Sequence, residues 1–273
     1  MEKKISKKLN KAIVFGGSGF LGSHICDQLT DLNYDVTIFD KKKSKYLKRK
    51  QKFFIGDISN YTQVKKAIKN MNYILHFAAV SDIEESNLDP IKTIKYNILG
   101  TANILEAMRK NNKIKKIIYA SSIYARSKEG GFYSTSKRSS ESLIENYSEK
   151  FSINYLILRF GSLYGIRANF FKKIERIGDG SDVRNYINVK DAAKICIKIL
   201  ESNKKNKHYN ILGNKRMMVK KIIELIAKKT KTKKIIFKKQ KRELLHYKIN
   251  PFTYKVYDGI FVKINDKHFI AKN

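Results

Sequence analysis

An α/β fold with a doubly wound parallel sheet is predicted by two observations. Short apolar runs alternate with longer segments of helical period, and a glycine-rich turn separates the first run from the first helix. Strands are predicted at Ala12–Phe15, Val36–Phe39, Lys52–Ile55, Tyr73–Phe77, Ile114–Ala120 and Ile153–Phe160. Helices are predicted over about Gly19–Leu32, Thr62–Asn70, Ile91–Lys110 and Phe132–Phe151, the third with Ile94, Ile98, Ala102 and Leu105 on one face. Right-handed crossovers between such units lay helices on both faces of the sheet. After Phe160 the regularity weakens: a strand near Tyr186–Val189, a helix Asp191–Glu201, a strand His208–Ile211 and a helix Val219–Lys229 are read. Residues 1–160, joined by 184–211, are assigned to the sheet domain; 161–183 and 212–273 are assigned to a small, shortened C-terminal substrate lobe.

The 273 residues suffice for one large core, and 42% hydrophobic with 11% aromatic residues is a globular composition. Lys+Arg is 58 against 24 Asp+Glu, a formal net charge of +34. Such a field attracts polyanions. The lysines are nevertheless scattered over nearly every predicted helix and loop, with no single basic helix interleaved with aromatics. Specific nucleic-acid binding is therefore not expected, although an anionic small molecule would benefit from the field. Cys26 and Cys196 fall inside amphipathic helices and read as reduced core residues, not a disulfide framework. The basic segment 1–10 lacks the apolar stretch of a signal peptide, and no run approaches a membrane span. A cytoplasmic protein with no membrane partner and no metal site is expected.

The first motif is Gly16-Gly17-Ser18-Gly19-Phe20-Leu21-Gly22, with glycines in a G-x-x-G-x-x-G spacing between strand and helix. Glycines are needed there for a tight turn, for close backbone approach to a pyrophosphate and for close helix–strand packing. The helix N-terminus, at Phe20 and Leu21, offers free N–H groups and partial positive charge to the phosphates. Asp40 ends the second strand, eighteen residues beyond Gly22. A carboxylate there accepts the adenine ribose hydroxyls and repels a 2′-phosphate, which favours NAD over NADP against the counter-signal of the lysines at 41–43. Asp57, in Gly56-Asp57-Ile58, reaches for the adenine amino group or simply makes a turn.

These residues resemble the extended short-chain dehydrogenase/reductase family, the NAD-dependent nucleotide-sugar epimerases and dehydratases built on a Rossmann sheet. The resemblance runs from about Lys11 to at least Gly213. Beyond the glycine turn, Asp40 and Gly56-Asp57-Ile58, it rests on His76-Phe77-Ala78-Ala79, Asn97-Ile98-Leu99-Gly100-Thr101-Ala102-Asn103 and Ala120-Ser121-Ser122. It continues in Tyr133-Ser134-Thr135-Ser136-Lys137 and Arg184-Asn185-Tyr186-Ile187-Asn188-Val189. It implies that Ile58, Ala78, Ala79 and Asn97 join the NAD site and that Ser81 meets the substrate. Tyr133 and Lys137 stand one helical turn apart on one face. A free phenol has a pKa near ~10, too high for a base at neutral pH, and a nearby ammonium lowers it. The resemblance makes Tyr133 the base that deprotonates a sugar hydroxyl while hydride passes to NAD, with Lys137 also on the nicotinamide ribose. Counting from the strand, Ser122 falls on the catalytic serine, but the short segment Ile123-Tyr124-Ala125 leaves Ser121 open. Dehydratases of the family carry an Asp-Glu pair after the catalytic residue; here Ile123 follows Ser122, which points to 4-epimerisation through a transient ketone. Arg184 matches an arginine that grips the substrate diphosphate, and Arg167 is a second candidate, because a guanidinium binds phosphate oxygens bidentately. Ser162 stands where many relatives place Asn, and the segment from Arg167 to Gly178 is short.

The leading reading is therefore an NAD-dependent, UDP-glucose 4-epimerase-like isomerase, expected to dimerise through a bundle of Ile91–Lys110 and Phe132–Phe151. Its rivals are an NAD(P)-dependent sugar or carbonyl reductase or dehydrogenase of the same family and a non-catalytic dinucleotide-binding sensor.

Overall fold

The structure, a computed structural model, describes residues 9–127, 129–168, 173–177, 179–214, 216–230, 234–238, 260–265 and 268–272. Seven parallel strands form its main sheet: β1 (Lys11–Phe15), β2 (Asp35–Asp40), β3 (Lys52–Ile55), β4 (Tyr73–His76), β5 (Lys116–Ser122), β6 (Tyr155–Phe160) and, later in the chain, β10 (Lys207–Gly213). Their spatial order is β3-β2-β1-β4-β5-β6-β10, so the winding reverses between β1 and β4. Ligands of open α/β sheets sit in the crevice beyond the carboxyl ends of the strands at such a switch point. The doubly wound fold expected from the strand–helix alternation is what the chain adopts.

Helices cover both faces. On one, α1 (Phe20–Asp31) and α7 (Val189–Glu201) close a core containing Leu21, Ile25, Leu29, Ile195 and Ile199. On the other, α2 (Tyr61–Ile68), α5 (Gly100–Arg109) and α6 (Gly131–Phe151) pack Val64, Ile104, Leu105 and Ile144 against Phe15, Phe39 and Tyr119. Several helices begin where a short polar side chain caps free N–H groups: Asn60 accepts from the Gln63 amide, Asp82 from Glu85, Asp89 from Lys92 and Asn188 from Lys190. Cys26 and Cys196 are buried free thiols in α1 and α7.

The predicted helix Ile91–Lys110 is a compound rod of α4 (Pro90–Thr93), a π-helical turn at Ile94–Leu99, and α5. Its predicted apolar face is corrected. Ile94 is exposed and Ile98 only half-buried, whereas Thr93, Asn97, Gly100, Thr101, Ile104 and Leu105 face inward. The inward stripe is polar at its leading end because it supports the cavity described below. A helix absent from the prediction, α3 (Ile83–Leu88), precedes the rod.

After β6 most strands leave the main sheet. The strands β7 (Ser162–Tyr164), β9 (Val183–Asn188) and β11 (Arg216–Met218) make a three-stranded sheet that the helix α8 (Val219–Thr230) follows, and β8 (Lys173–Ile177) pairs with β12 (Lys234–Lys238). A hairpin, β13 (Ile260–Asn265) and β14 (His268–Lys272), adds antiparallel strands to the β10 edge of the main sheet. That hairpin belongs to the stretch 212–273 assigned above to the small lobe. Among the described residues no helix is long and apolar enough to cross a membrane, and no group of three or more His, Cys, Asp or Glu side chains is placed to hold a metal.

Candidate active site

A cavity of about 710 Å³ opens at the switch point, along the carboxyl ends of the parallel strands. Gly16, Gly19, Phe20, Leu21 and Gly22 line one end, and Ser121, Ser122, Tyr133 and Lys137 line the other. Asp40, Ile58, Ala78, Ala79 and Ser81 lie between them.

The glycine end is shaped by close backbone approach. Gly16 has φ +77° and a side chain there would meet the Ala78 amide nitrogen at 2.6 Å; a Cβ on Gly22 would meet the Gly16 carbonyl oxygen at 2.2 Å. The turn is fastened by the Gly16 amide donating to Phe39 O and the Gly19 amide to Gly16 O. The first turn of α1 contains no acidic residue and no side chain caps it. Its amides thus face the cavity as an anion-binding helix end, which fits a dinucleotide pyrophosphate.

Asp40 accepts the Ser18 amide at 3.0 Å, so it buttresses the glycine turn as well as facing the cavity. Asp57 does not line the cavity. Its carboxylate accepts the Ser59 amide and hydroxyl, each at 2.8 Å, and pairs with Lys41 at 3.2 Å. Burial would raise its pKa, but those hydrogen bonds and Lys41 outweigh burial and hold it below the ordinary carboxylate range. Ser59 and Lys41 thus give Asp57 the local partners of a turn residue. Lys41 also lies 3.5 Å from the centroid of the Tyr96 ring, a cation–π contact that spans the adenine end of the cavity. This clasp went unread in the sequence, where the lysines at 41–43 registered only as charge. A Glu85–Lys92 ion pair of 2.7 Å at the cavity wall was likewise missed.

Asn97 is buried behind the wall. Its carboxamide accepts the Val80 amide at 2.8 Å and donates to Val80 O and to the Ser136 hydroxyl, which ties the loop after β4 to α6. His76, below it, meets the Thr101 hydroxyl at 3.0 Å; complete burial drives its pKa down to about 3, so the ring is neutral.

At the far end, Lys137 donates to Ala120 O at 2.7 Å and lies 5.7 Å from the Tyr133 ring centroid. Burial lowers the Lys137 pKa to about 8, opposed by Glu141. Burial pushes the Tyr133 phenol up, and a hydrogen bond with the Ser122 hydroxyl opposes it. One of the three Lys137 N–H donors is thus anchored to the strand, which holds the ammonium beside the Tyr133 ring. Ser121 and Ser122 both border the cavity, but they are not equivalent. Ser121 donates to the buried Glu141 carboxylate at 2.5 Å, whereas the Ser122 hydroxyl accepts the Tyr124 amide and meets Tyr133.

The two arginines are not brought to this cavity. Arg167 pairs with Asp27 at 2.7 Å and stacks on Tyr46 with 4.3 Å to the centroid. Arg184, on β9, is 3.5 Å from Asp182 just before that strand, and its side chain is 30% exposed. Of the shortened segment Arg167–Gly178, positions 169–172 and 178 lie outside the described residues. Ser162 opens β7.

Sheet order, glycine cradle and Tyr–Lys pair together define a nucleotide-binding redox fold, and comparison with known proteins identifies which. Residues 12–211 match the model of the NAD dependent epimerase/dehydratase family. A provisionally named UDP-glucose 4-epimerase of Methanocaldococcus jannaschii is 32% identical over 248 residues, covering 78% of this chain and 80% of that protein. The dTDP-D-glucose 4,6-dehydratase of Homo sapiens is 26% identical, covering 79% of this chain and 74% of its own. The crystal structure of the UDP-glucose 4-epimerase of Thermotoga maritima with UDP-glucose is similar at a TM-score of 0.76 and 24% identity, covering 85% of this chain and 87% of that one. The chain belongs to the NAD dependent epimerase/dehydratase family.

Proposed function

We propose that the protein is an NAD-dependent nucleotide-sugar 4-epimerase. The observation that carries this reading is the convergence of Tyr133, Lys137 and Ser122 on one end of a cavity whose other end is the glycine cradle. The cradle amides seat the pyrophosphate, and Asp40 accepts the adenine ribose hydroxyls. When bound, NAD supplies an acceptor that takes a hydride from the sugar carbon and returns it to the opposite face. Tyr133 takes the C4 hydroxyl proton and later gives it back. Ser122 hydrogen-bonds the same sugar oxygen, and the Lys137 charge favours the phenolate. Asn97 keeps Ala78, Ala79 and Ser81 in place through Val80. Arg184 is assigned the substrate diphosphate; its exposed pair with Asp182 is weak enough for a doubly charged ligand to displace.

Family relatives include dehydratases, but those need an acid beside the catalytic serine or threonine, and here Ile123 follows Ser122 and opens a short 3₁₀ turn, Ile123–Arg126. The test is to denature the purified protein, read released NAD by absorbance and fluorescence, and assay interconversion of UDP-glucose and UDP-galactose. About one NAD per chain and turnover without added cofactor are expected. An empty protein that consumes added NAD(P)H on a carbonyl compound would favour the reductase reading. Retained NAD with no turnover of any nucleotide sugar would favour the sensor.

The same proposal includes a homodimer. Leu88, Ile91, Ile94 and Phe132 are exposed on α3, the rod and the start of α6, with Leu88 87% and Ile91 75% accessible. A second copy of this chain is the partner expected to cover them. Sedimentation velocity should give twice the chain mass for wild type and the chain mass for Ile91→Asp; a wild-type monomer at micromolar concentration would reject the dimer.

A further inference from the structure

Beneath the Tyr–Lys pair lies a buried ionic chain that the proposed reaction does not use. Along α6, Tyr133, Lys137, Glu141 and Glu145 recur every four residues and so share one side of the helix. Glu141, 3% exposed, accepts the Ser121 hydroxyl at 2.5 Å and a two-pronged contact from Arg159, Nε at 2.9 Å and Nη2 at 2.7 Å. Arg159 Nη2 also meets His208 Nδ1 at 2.6 Å. A guanidinium only donates, so Nδ1 accepts and the ring proton sits on Nε2, which reaches the Glu145 carboxylate at 2.9 Å. The chain thus runs from the cavity wall, through three buried side chains on α6, β6 and β10, to a half-exposed carboxylate.

We propose that Glu141 is a positioning residue of the catalytic centre: it withdraws Ser121 from the reaction, which leaves Ser122 as the acting serine, and it keeps Lys137 charged. The inference rests on the epimerase reading for what the centre does, but its geometry stands independently. A carboxylate gripped by an arginine fork cannot turn away, and it holds the single Ser121 proton. Ser122 has no such partner and keeps its hydroxyl for the cavity. The groups around Lys137 explain why a carboxylate is needed. Tyr133 faces it from α6, Tyr119 lies under it from β5 with 4.9 Å from Nζ to the ring centroid, and the neutral His76 faces it from β4. Arg159, His208 and Arg126 lie beyond Glu141, the last at 3.9 Å from it. Glu141 is thus the carboxylate set against the burial that lowers the ammonium's pKa.

The test uses the full chain with its retained cofactor. Lysine labelled at Cε is followed by NMR against pH, with the Lys137 resonance assigned through Lys137→Met. In Glu141→Gln, which keeps the shape and the oxygen acceptor, Lys137 should titrate lower by about one unit. Because the charged amine is the active form, the alkaline limb of kcat should move to lower pH by the same amount. Glu141→Asp, which restores the charge, should return the titration most of the way. Ser121→Ala should cost at least tenfold less in kcat than Ser122→Ala. A folded Glu141→Gln with unmoved Lys137 titration would overturn the proposal, as would equal losses from the two serine variants. If Glu141→Gln does not fold, Glu141→Asp and the serine pair still decide. If no nucleotide sugar is turned over, the epimerase reading fails while the Lys137 titration still tests Glu141.

Discussion

Tyr133→Phe is expected to lower kcat by about 10² to 10⁴, the range a positioned acid–base group contributes, while the fold and the retained dinucleotide are unchanged. The substitution removes one oxygen atom from a half-buried ring that borders the cavity. What it takes from the folded protein is the hydrogen bond with the Ser122 hydroxyl, a loss of about 1 kcal/mol. What it takes from the proposed reaction is the phenol that, beside Lys137, would move the sugar hydroxyl proton. Lys137→Met should weaken turnover through the same phenol, and the two losses should fall short of adding, because the residues act as a unit. Single-turnover assays with UDP-glucose, beside a thermal melt to show the fold intact, check this. Turnover within fivefold of wild type would remove Tyr133 from the mechanism.

The second large effect is on the cradle. Glycine to alanine inside a helix ordinarily stabilises by up to about 1 kcal/mol through propensity. Gly22, in the first turn of α1, is expected to do the opposite. Its added Cβ meets the Gly16 carbonyl oxygen at 2.2 Å and the Gly17 Cα at 3.0 Å, both backbone atoms that no side-chain rotation relieves. Overpacking of this kind costs about 1–3 kcal/mol, occasionally more, which outweighs the propensity gain. Gly22→Ala should therefore melt several degrees lower, by roughly 2–4 °C per kcal/mol, and be purified with little bound NAD. Gly19→Ala is the milder control, since its Cβ finds only the Gly16 carbonyl, at 3.2 Å. Calorimetry and the absorbance ratio at 260 and 280 nm read both. A Gly22→Ala protein that melts like wild type with full cofactor would show that the turn has slack the geometry denies.

Residues that act through backbone spacing were legible in the sequence. Gly16 and Gly22 can be read because no side chain tolerates the backbone approach there, and Lys52–Ile55 was placed to the residue because the apolar Phe53–Ile55 is closed by the Gly56-Asp57 turn. Tyr133 and Lys137 were legible because helical period puts i and i+4 together. Residues whose meaning depends on what crosses from another element were not. Asp57 could be read as an adenine contact or as a turn residue, and its partners Ser59 and Lys41 were not visible in the motif. Arg167 is held by Asp27, and Arg184 has only a weaker, partly exposed pair with Asp182, partners that the sequence does not show. Ser121 and Ser122 differ in their partners because of Glu141, whose i+4 position after Lys137 was visible, but whose Arg159 partner is supplied by a strand eighteen residues away. The face of the long rod was misread for a simpler reason: a search for apolar period joined the outer Ile94 to the inner Leu105 and passed over the polar Thr93, Asn97 and Thr101 that face inward.

That rod sets one further constraint. A π turn carries an extra residue within its hydrogen-bonded ring, and each residue turns a helix by about 100°. The wide turn at Ile94–Leu99 therefore sets the phase between Ile91, facing outward, and Ile104 and Leu105, facing the sheet, with Asn97 clasped to Val80 in between. What is fixed in this stretch is its length more than its lettering. Exposed Lys95 touches only the neighbouring Tyr96 ring and should tolerate exchange, whereas one residue added or deleted between Pro90 and Gly100 would swing either the outer apolar surface or the Asn97 clasp out of place.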